Sequence, residues 1–576
     1  MKRLKIIKKP KSYFKTEPNL KDYGKMYGKF KYSDYYSELE FFKGGKMNAA
    51  YNAIDRHTKD WGRNKLALLW VDDTQEKKYT FREMKNLSNQ FANVLKKYGV
   101  KRGDRAFLFL PRLPELYLSF LGTLKTGAIA GTMFAAFGPE AIKDRLQDSG
   151  AKYLITNREL VTRVYKVKRQ LPELKHIFIV DDKPRKKGEI SFWDEMNAAS
   201  RNFKVAEMKK TDPAFMLYTS GTTGKPKGVI HSHLAILHEH MTAKWVLDLH
   251  SEDMYWCTAD PGWVTGIAYE ILGSWSNKVT SLIYAGRFDP AKWYEIIEKY
   301  EVNVWYTAPT AVRMLMMDGS ELPKKYDLSS LRHMLSVGEP LNPEPIYWGL
   351  KVFGLPFHDN WWQTETGGIL ISNYPSMPVK PGSMGKPFPG IKAAIIDDKG
   401  KVLGTGVEGN LAMKPGWPSM MKGIWKNKKR YNKYFLKGWY ISGDKAMRDK
   451  DGYFWFIGRS DDVIKTSGER VGPFEVESAL VAHPAIVEAA VIGKPDPLRG
   501  EIIKAFVTLS RGYKPSDALK VKIQKYVKKH LAGHAYPREI EFRANLPKTQ
   551  SGKIIRRFLK AEEMGVKLKD LSTMAK

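Results

Sequence analysis

The chain has 576 residues, 43% of them apolar and 27% charged, with a mean hydropathy of −0.43. At ~100–200 residues per domain this is a globular protein of several structural units, which excludes wholesale disorder and fibrous repeats. No apolar run reaches the ~20 residues of a membrane span, and a single cysteine, Cys257, excludes internal disulfides and zinc sites built on several thiolates. A reducing, cytoplasmic location is expected, with no membrane partner. The net charge is +34 and the pI about 9.7. A nucleic-acid reader would cluster that charge, whereas here it is spread along the chain and no Cys/His finger or RNA-binding signature accompanies it. The densest run, Met1–Lys15, has seven basic residues and no acidic one. It lacks the apolar core of a signal peptide and reads as a solvated tail within a basic extension over residues 1–40.

In chain order, Tyr79–Tyr98 places Phe81, Met84, Leu87, Phe91 and Leu95 at helical spacing. Arg105–Pro111 reads as a buried strand, Glu115–Lys125 as a helix and Gly127–Phe134 as another apolar stretch. Further buried strands are expected at Tyr153–Thr156, His176–Val180 and Val302–Thr307. Strands alternating with helices predict an α/β fold with largely parallel sheets. From about Pro381, short runs between Gly, Asp and Pro turns predict a β-rich subdomain over roughly 380–460. Residues 462–576 carry their own helices (Pro473–Val481, Ala518–His530) and strands (Glu488–Ile492, Ile503–Leu509). A domain boundary is therefore expected at Asp461, dividing an N-terminal domain (41–460) from a C-terminal one (461–576).

The most informative segment is Tyr218–Gly228, YTSGTTGKPKG, which follows the apolar run Ala214–Leu217. Gly221, Gly224 and Gly228 let backbone approach a ligand closely. Thr219, Ser220, Thr222 and Thr223 supply hydroxyls, and Lys225 and Lys227 supply charge, so the loop can wrap a polyphosphate. No Gly-Lys-Ser/Thr follows Gly221, which disfavours a P-loop nucleotide hydrolase. The Gly404–Gly409 segment fits G-x-G-x-x-G, but no helix follows it and it reads as turns.

Together with Trp361–Gly368 (WWQTETGG), Tyr440–Asp444 (YISGD), Gly458–Arg470 (GRSDDVIKTSGER) and Pro547–Lys553 (PKTQSGK), this loop resembles the adenylate-forming superfamily of acyl-CoA synthetases. The motifs run in the family's order from about residue 50 to 560. Within the superfamily the chain is most similar to the AMP-forming, acetate-activating branch. The resemblance implies a large N-terminal domain of layered αβ subdomains plus a β-barrel-like one, followed by a small mobile α+β domain. It implies a two-step reaction with ATP, coenzyme A and Mg²⁺: acetate and ATP give acetyl-AMP and pyrophosphate, and coenzyme A then displaces AMP.

Residue roles follow from the same resemblance. Lys553 bridges carboxylate and α-phosphate in the first step, Thr364 contacts the α-phosphate, and Glu365 holds Mg²⁺ as a hard oxygen ligand. Gly338, Glu339 and Pro340 with Asp359, Asn360 and Trp361 match the adenine-binding segments, and Trp362 and Gln363 also belong to the ATP/AMP-binding set. Asp444 takes the ribose hydroxyls as an acceptor-only side chain, with Arg459 and Arg470 near ribose and phosphate. Asp461 is the hinge, and Ser467 and Gly468 line the coenzyme A tunnel. Val481, His483 and Ile486 match a secondary cation site, against which stands an ordinary helix end. The equivalent of Lys553 is an acetylation target, which implies acetylating and deacetylating enzymes as partners.

Val264, Thr265, Val337 and Trp362 match the positions that close the acyl pocket around acetate, Trp362 capping it. The segment Lys-Thr-Ser-Gly-Glu-Arg departs from the Asn-Val-Ser-Gly-His-Arg of many such enzymes, and the contacts to the coenzyme A 3′-phosphate stay unassigned. Cys257 reads as buried packing near the pocket. Three alternatives stand beside this reading: a propionyl- or short/medium-chain acyl-CoA synthetase of the same fold, a basic nucleic-acid-binding protein, and a carrier-protein adenylation module. The last is disfavoured because no carrier domain follows residue 576.

Overall fold

The computed structural model describes residues 5–221, 224–466, 469–497, 499–531, 535–548 and 554–566. Two large sheets form the body. One runs, by strand, 386–387, 371–372, 357–361, 333–336, 304–307, 254–257, 280–284, 66–71 and 76–80. Its centre is parallel and its edges are antiparallel. The other runs 423–424, 224–232, 213–221, 129–133, 105–109, 153–156, 176–179 and 189–191, again parallel from 129–133 to 189–191. The alternation of buried strands and helices expected from the sequence is realised in both.

Local signals place the helices. Phe81–Lys97 starts on a reciprocal cap in which Thr80 accepts from the Glu83 N–H and the Glu83 carboxylate accepts from Thr80, and it buries Phe81, Met84, Phe91 and Leu95. Pro114–Thr126 is buried along its whole length between the layers. It opens on Pro114 and stops at Gly127, whose φ of 81° is in the left-handed region. Trp256, Trp275 and Trp305 are fully buried, and truncating any of them costs about 3–5 kcal/mol.

A third sheet, 393–396, 409–413, 439–448 and 435–436 with 454–459 alongside, is the β-rich region. Gly404–Gly409 lies in the turns leading into the strand Gly409–Met413, with no helix after it. The strand Phe454–Arg459 ends this sheet, and Ile464–Thr466 begins a separate one with 469–471, 500–509, 486–496 and 539–542. Asp461 sits, exposed, in the turn between them. The helices Pro473–Val481 and Asp517–His530 cover that last sheet.

The basic N-terminal run corrects the expectation of a solvated tail. Ile7 pairs its backbone with Val379, N to O at 2.9 Å. Lys9 is pulled inside, where its ammonium donates to His358 Nε2 at 2.7 Å and to the Tyr374 carbonyl at 2.8 Å. Lys15 donates to the Leu331 carbonyl and Asn19 N–H to Asp248. Phe30 inserts among Tyr35, Trp245 and Phe388. Lysines are interspersed with aliphatic and aromatic anchors, and the anchors win: the segment is a strap across the large domain.

Candidate active site

In an open parallel sheet, ligands bind beyond the carboxyl ends of the strands. The adjacent parallel strands His333–Ser336 and Phe357–Trp361 lead there into Val337–Pro340 and Trp362–Gly368, so the two segments expected on the adenine side lie next to each other. Gly338 has φ 101° and Gly367 has φ 69°. A Cβ on Gly367 would lie 2.2 Å from the Ser419 carbonyl, so only glycine lets the Thr-Glu-Thr turn close against that loop.

Asp359 is buried. It accepts the Leu341 N–H at 3.2 Å through Oδ2, while Oδ1 has no hydrogen-bond partner among the described residues. Burial pushes its carboxyl up to about 8, the Leu341 bond acting the other way. Asn360 donates to the Ser336 carbonyl at 2.8 Å and accepts from the Tyr306 hydroxyl at 3.0 Å. Glu339 accepts from Thr310 at 2.6 Å and from Arg313 at 2.9 Å.

At the end expected to take ribose, Asp444 projects from the strand Trp439–Arg448. Its Oδ2 accepts from the Trp361 indole at 2.9 Å and from the Gln363 amide at 3.1 Å, and Arg459 Nε stands 3.3 Å from Oδ1. Gln363 also donates to the Ser442 carbonyl and accepts from the Tyr440 hydroxyl at 2.9 Å. This small network docks the barrel-like sheet on the large sheet.

At the end expected to take phosphate, Thr219 and Lys227 face each other across the antiparallel strands that carry the glycine-rich loop. Lys227 donates to Glu365 Oε1 and to the Tyr434 hydroxyl, and Tyr434 donates to the same oxygen at 3.0 Å. The Tyr434 ring stacks on Tyr440, 5.9 Å between centroids and 3° between planes. Phosphate end and ribose end are thus one connected array: Lys227, Glu365, Tyr434, Tyr440, Gln363, Asp444. Thr364 is half-buried beside Glu365. Thr222, Thr223, Ser467, Gly468 and Lys553 lie outside the described residues, as do the side chains of Ser220, Gly221, Gly224, Lys225 and Arg470. Lys548 and Ile554 form a backbone bridge across the segment that bears Lys553.

At the expected acyl positions, Trp362 packs on a residue that no sequence motif marked. Tyr269 packs edge-on against Trp362 at 5.2 Å and against Tyr306 at 5.9 Å, and its hydroxyl accepts the Ile369 N–H at 2.7 Å. Tyr269 belongs to a π-helical turn, Gly266–Leu272, that immediately follows Val264 and Thr265; such turns concentrate at functional sites. Val337 bonds back to Thr307, next to Tyr306. Cys257, paired in register with Tyr306, is buried, and burial pushes its thiol up to about 12, so it packs and does not react. Tyr434 was also missed: no motif covers it, and only the neighbouring Tyr440–Asp444 match pointed nearby. At the expected secondary cation site, Val481, His483 and Ile486 share the turn after Pro473–Val481. There the His483 ring packs edge-on to Tyr526 and accepts the Ala485 N–H.

Comparison with known proteins gives consistent matches along the chain. An acetyl-coenzyme A synthetase of Bacillus subtilis (strain 168) is 56% identical over 559 residues, 96% of this chain and 97% of the relative. One from Methanothrix thermoacetophila is 42% identical, covering 93% and 86%. Among solved structures, a Brucella canis acyl-CoA synthetase superposes with TM-score 0.75 at 36% identity, covering 95% and 99%. An anthranilate CoA ligase in complex with anthranoyl-AMP gives TM-score 0.85 at 31% identity, covering 93% and 99%. Residues 54–425 match the AMP-binding enzyme family and 475–553 match that family's C-terminal domain; with the motif order and strand-end geometry above, the chain belongs to the AMP-binding enzyme family.

Proposed function

We infer that this protein is an acetate–CoA ligase forming AMP. The observation that carries the reading is the connected array from Lys227 and Glu365 to Asp444, drawn from all three sheets of the large domain, in a chain matched nearly end to end by acetyl-coenzyme A synthetases.

In the first half-reaction an acetate oxygen attacks the α-phosphorus of ATP, the new O–P bond forms, and the bond to the β-phosphate oxygen breaks, releasing pyrophosphate. The loop from Thr219 to Lys227 cradles the phosphates. Lys227 leaves Glu365 for phosphate oxygens, and Thr364 donates to the α-phosphate. Asp359, Asn360 and the Gly338–Pro340 segment hold adenine, and Asp444 holds ribose. Lys553 supplies positive charge between the attacking carboxylate and the α-phosphate as the pentavalent phosphorus forms. In the second half-reaction the sulfur of coenzyme A attacks the acetyl carbonyl carbon and AMP departs with its oxygen. For that step the C-terminal domain turns at Asp461, presenting Ser467 and Gly468 to the pantetheine arm.

Glu365 fits a magnesium ion: it is a hard oxygen donor beside the phosphate loop. No group of three or more acidic, histidine or cysteine side chains among the described residues forms a protein-only cage, as suits an ion that takes most of its oxygens from phosphates and water. Magnesium bound there would supply charge that neutralises the triphosphate. Acetylation of Lys553 would erase the ammonium needed in the first step, making enzymes that add or remove that acetyl group the partners we propose. A cytoplasmic location is supported by the unpaired, buried Cys257; among the described residues no helix is long and apolar enough to cross a membrane.

The test is Lys553→Ala. Acetate-dependent exchange between ATP and pyrophosphate should fall by about 10²–10³, while conversion of supplied acetyl-AMP to acetyl-CoA persists. Equal loss of both half-reactions overturns the role.

A further inference from the structure

Beside the ring contact of Phe456 with Phe474, the C-terminal domain meets the large domain through charge. Arg313, buried in the helix Pro309–Met317 of the large domain, gives one end of its guanidinium to Glu339 at 2.9 Å. Its Nε faces Glu488 Oε1 of the C-terminal domain at 4.0 Å. Glu488, itself buried on the strand Ile486–Asp496, is held on its other oxygen by Lys548 Nζ at 2.9 Å. Lys548 is the residue that bridges to Ile554 at the neck of the segment bearing Lys553. One neutral contact runs beside this chain of charges, Asn342 Nδ2 to Ser478 Oγ at 2.8 Å.

We propose that Glu488 is a positioning residue that seats the C-terminal domain in the pose used for adenylation, by joining Lys548 at the neck of the Lys553 loop to the Arg313–Glu339 pair of the adenine segment. The inference rests on the reading above that Lys553 serves the first half-reaction. Glu339 and Glu488 come from different domains and would repel across a poorly hydrated boundary; Arg313 between them turns repulsion into attraction. The contact also suits a domain that must leave. When Glu488 withdraws, Arg313 keeps Glu339 and Glu488 keeps Lys548, so neither side is left with a bare buried charge, the situation that makes a broken buried pair expensive. The crossing distance, longer than the pairs on either side, marks the link that opens.

Glu488→Gln keeps size and leaves Arg313–Glu339 intact. Acetate-dependent ATP–pyrophosphate exchange should fall about tenfold, equivalent to 1.36 kcal/mol, while acetyl-AMP plus coenzyme A gives acetyl-CoA within twofold of the parent rate. Glu488→Asp, which retains the charge, should recover most of the exchange. A donor–acceptor dye pair on the two domains, read with a non-hydrolysable ATP analogue, should show fewer closed molecules for Glu488→Gln. Equal change in both half-reactions, no change in either, or an unaltered dye signal overturns the assignment. Lys553→Ala in the same assays separates the two ideas. If it spares exchange, the role of Lys553 fails; if it abolishes exchange and Glu488→Gln leaves the ratio untouched, Glu488 alone is misassigned.

Discussion

The two ends of the cleft are built differently. The end proposed for the acyl group is finished: Tyr269 packs edge-on against both Trp362 and Tyr306, and Val264 and Val337 are buried. The end proposed for phosphate is provisional: Lys227 and Glu365 satisfy each other and Tyr434, and on the proposed reading a triphosphate separates them. Selectivity for a two-carbon acid can be cut in advance from rigid aromatic surface, because acetate brings little binding energy of its own. Capture of a polyanion needs groups that change partner, because a buried carboxylate and ammonium without partners would be unstable while the site waits.

The largest effect is expected where the finished end is opened. Trp362→Gly should move the preferred acid from acetate towards butyrate or longer, with kcat/KM for acetate down roughly 10–200-fold, the range in which a pocket discriminates small apolar groups. A chain-length series of AMP release reads it; strict retention of acetate preference would show that Trp362 does not close the pocket. A smaller effect is expected at the provisional end. Tyr434→Phe keeps the stack on Tyr440 and removes the bond to Glu365, worth about 1 kcal/mol, so the calorimetric Kd of MgATP should rise roughly fivefold while that of AMP stays put. Equal weakening for both nucleotides would mean that Tyr434 serves packing alone.

A third prediction concerns stability rather than activity, at Asp359 on the expected adenine side. Asp359 is lifted by burial from an ordinary 3.8 to about 8. Below about pH 4 it is protonated folded or unfolded. Between 4 and 8 the unfolded chain ionises it and the folded chain does not, so its contribution to stability falls as pH rises through that window and levels off above 8. Asp359→Asn removes this dependence, and its Tm relative to the parent should climb from pH 5 to pH 8. A constant difference would show that Asp359 does not titrate in this way.

Much of this was legible in the residues. Continuous apolar runs marked the parallel strands and helical spacing marked Phe81–Lys97, because burial on both faces of a strand or along one stripe of a helix imposes those patterns directly. The glycine-rich loop, WWQTETGG and YISGD were legible because backbone approach and acceptor-only chemistry restrict residue choice at fixed spacing. Tyr269 and Tyr434 were not, since an aromatic reads the same in a core as in a site, and only the folded chain puts one on Trp362 and the other on Glu365. Glu488 was invisible for a related reason: its partners Arg313 and Lys548 lie far away in sequence on both sides. The strap was misread because lysine count outweighed the few anchors, Ile7 and Phe30 among them, that decide its path.

That strap has a consequence for biogenesis. Lys9 meets His358 and Tyr374 across separations of 349 and 365 residues, and His358 directly precedes Asp359. A segment that leaves the ribosome early must therefore wait, its lysines solvated, until the central strands of the large sheet have been synthesised and closed. Contacts of such long sequence separation form slowly, so the strand end at His358 and Asp359 is sealed from behind by residues synthesised well before it.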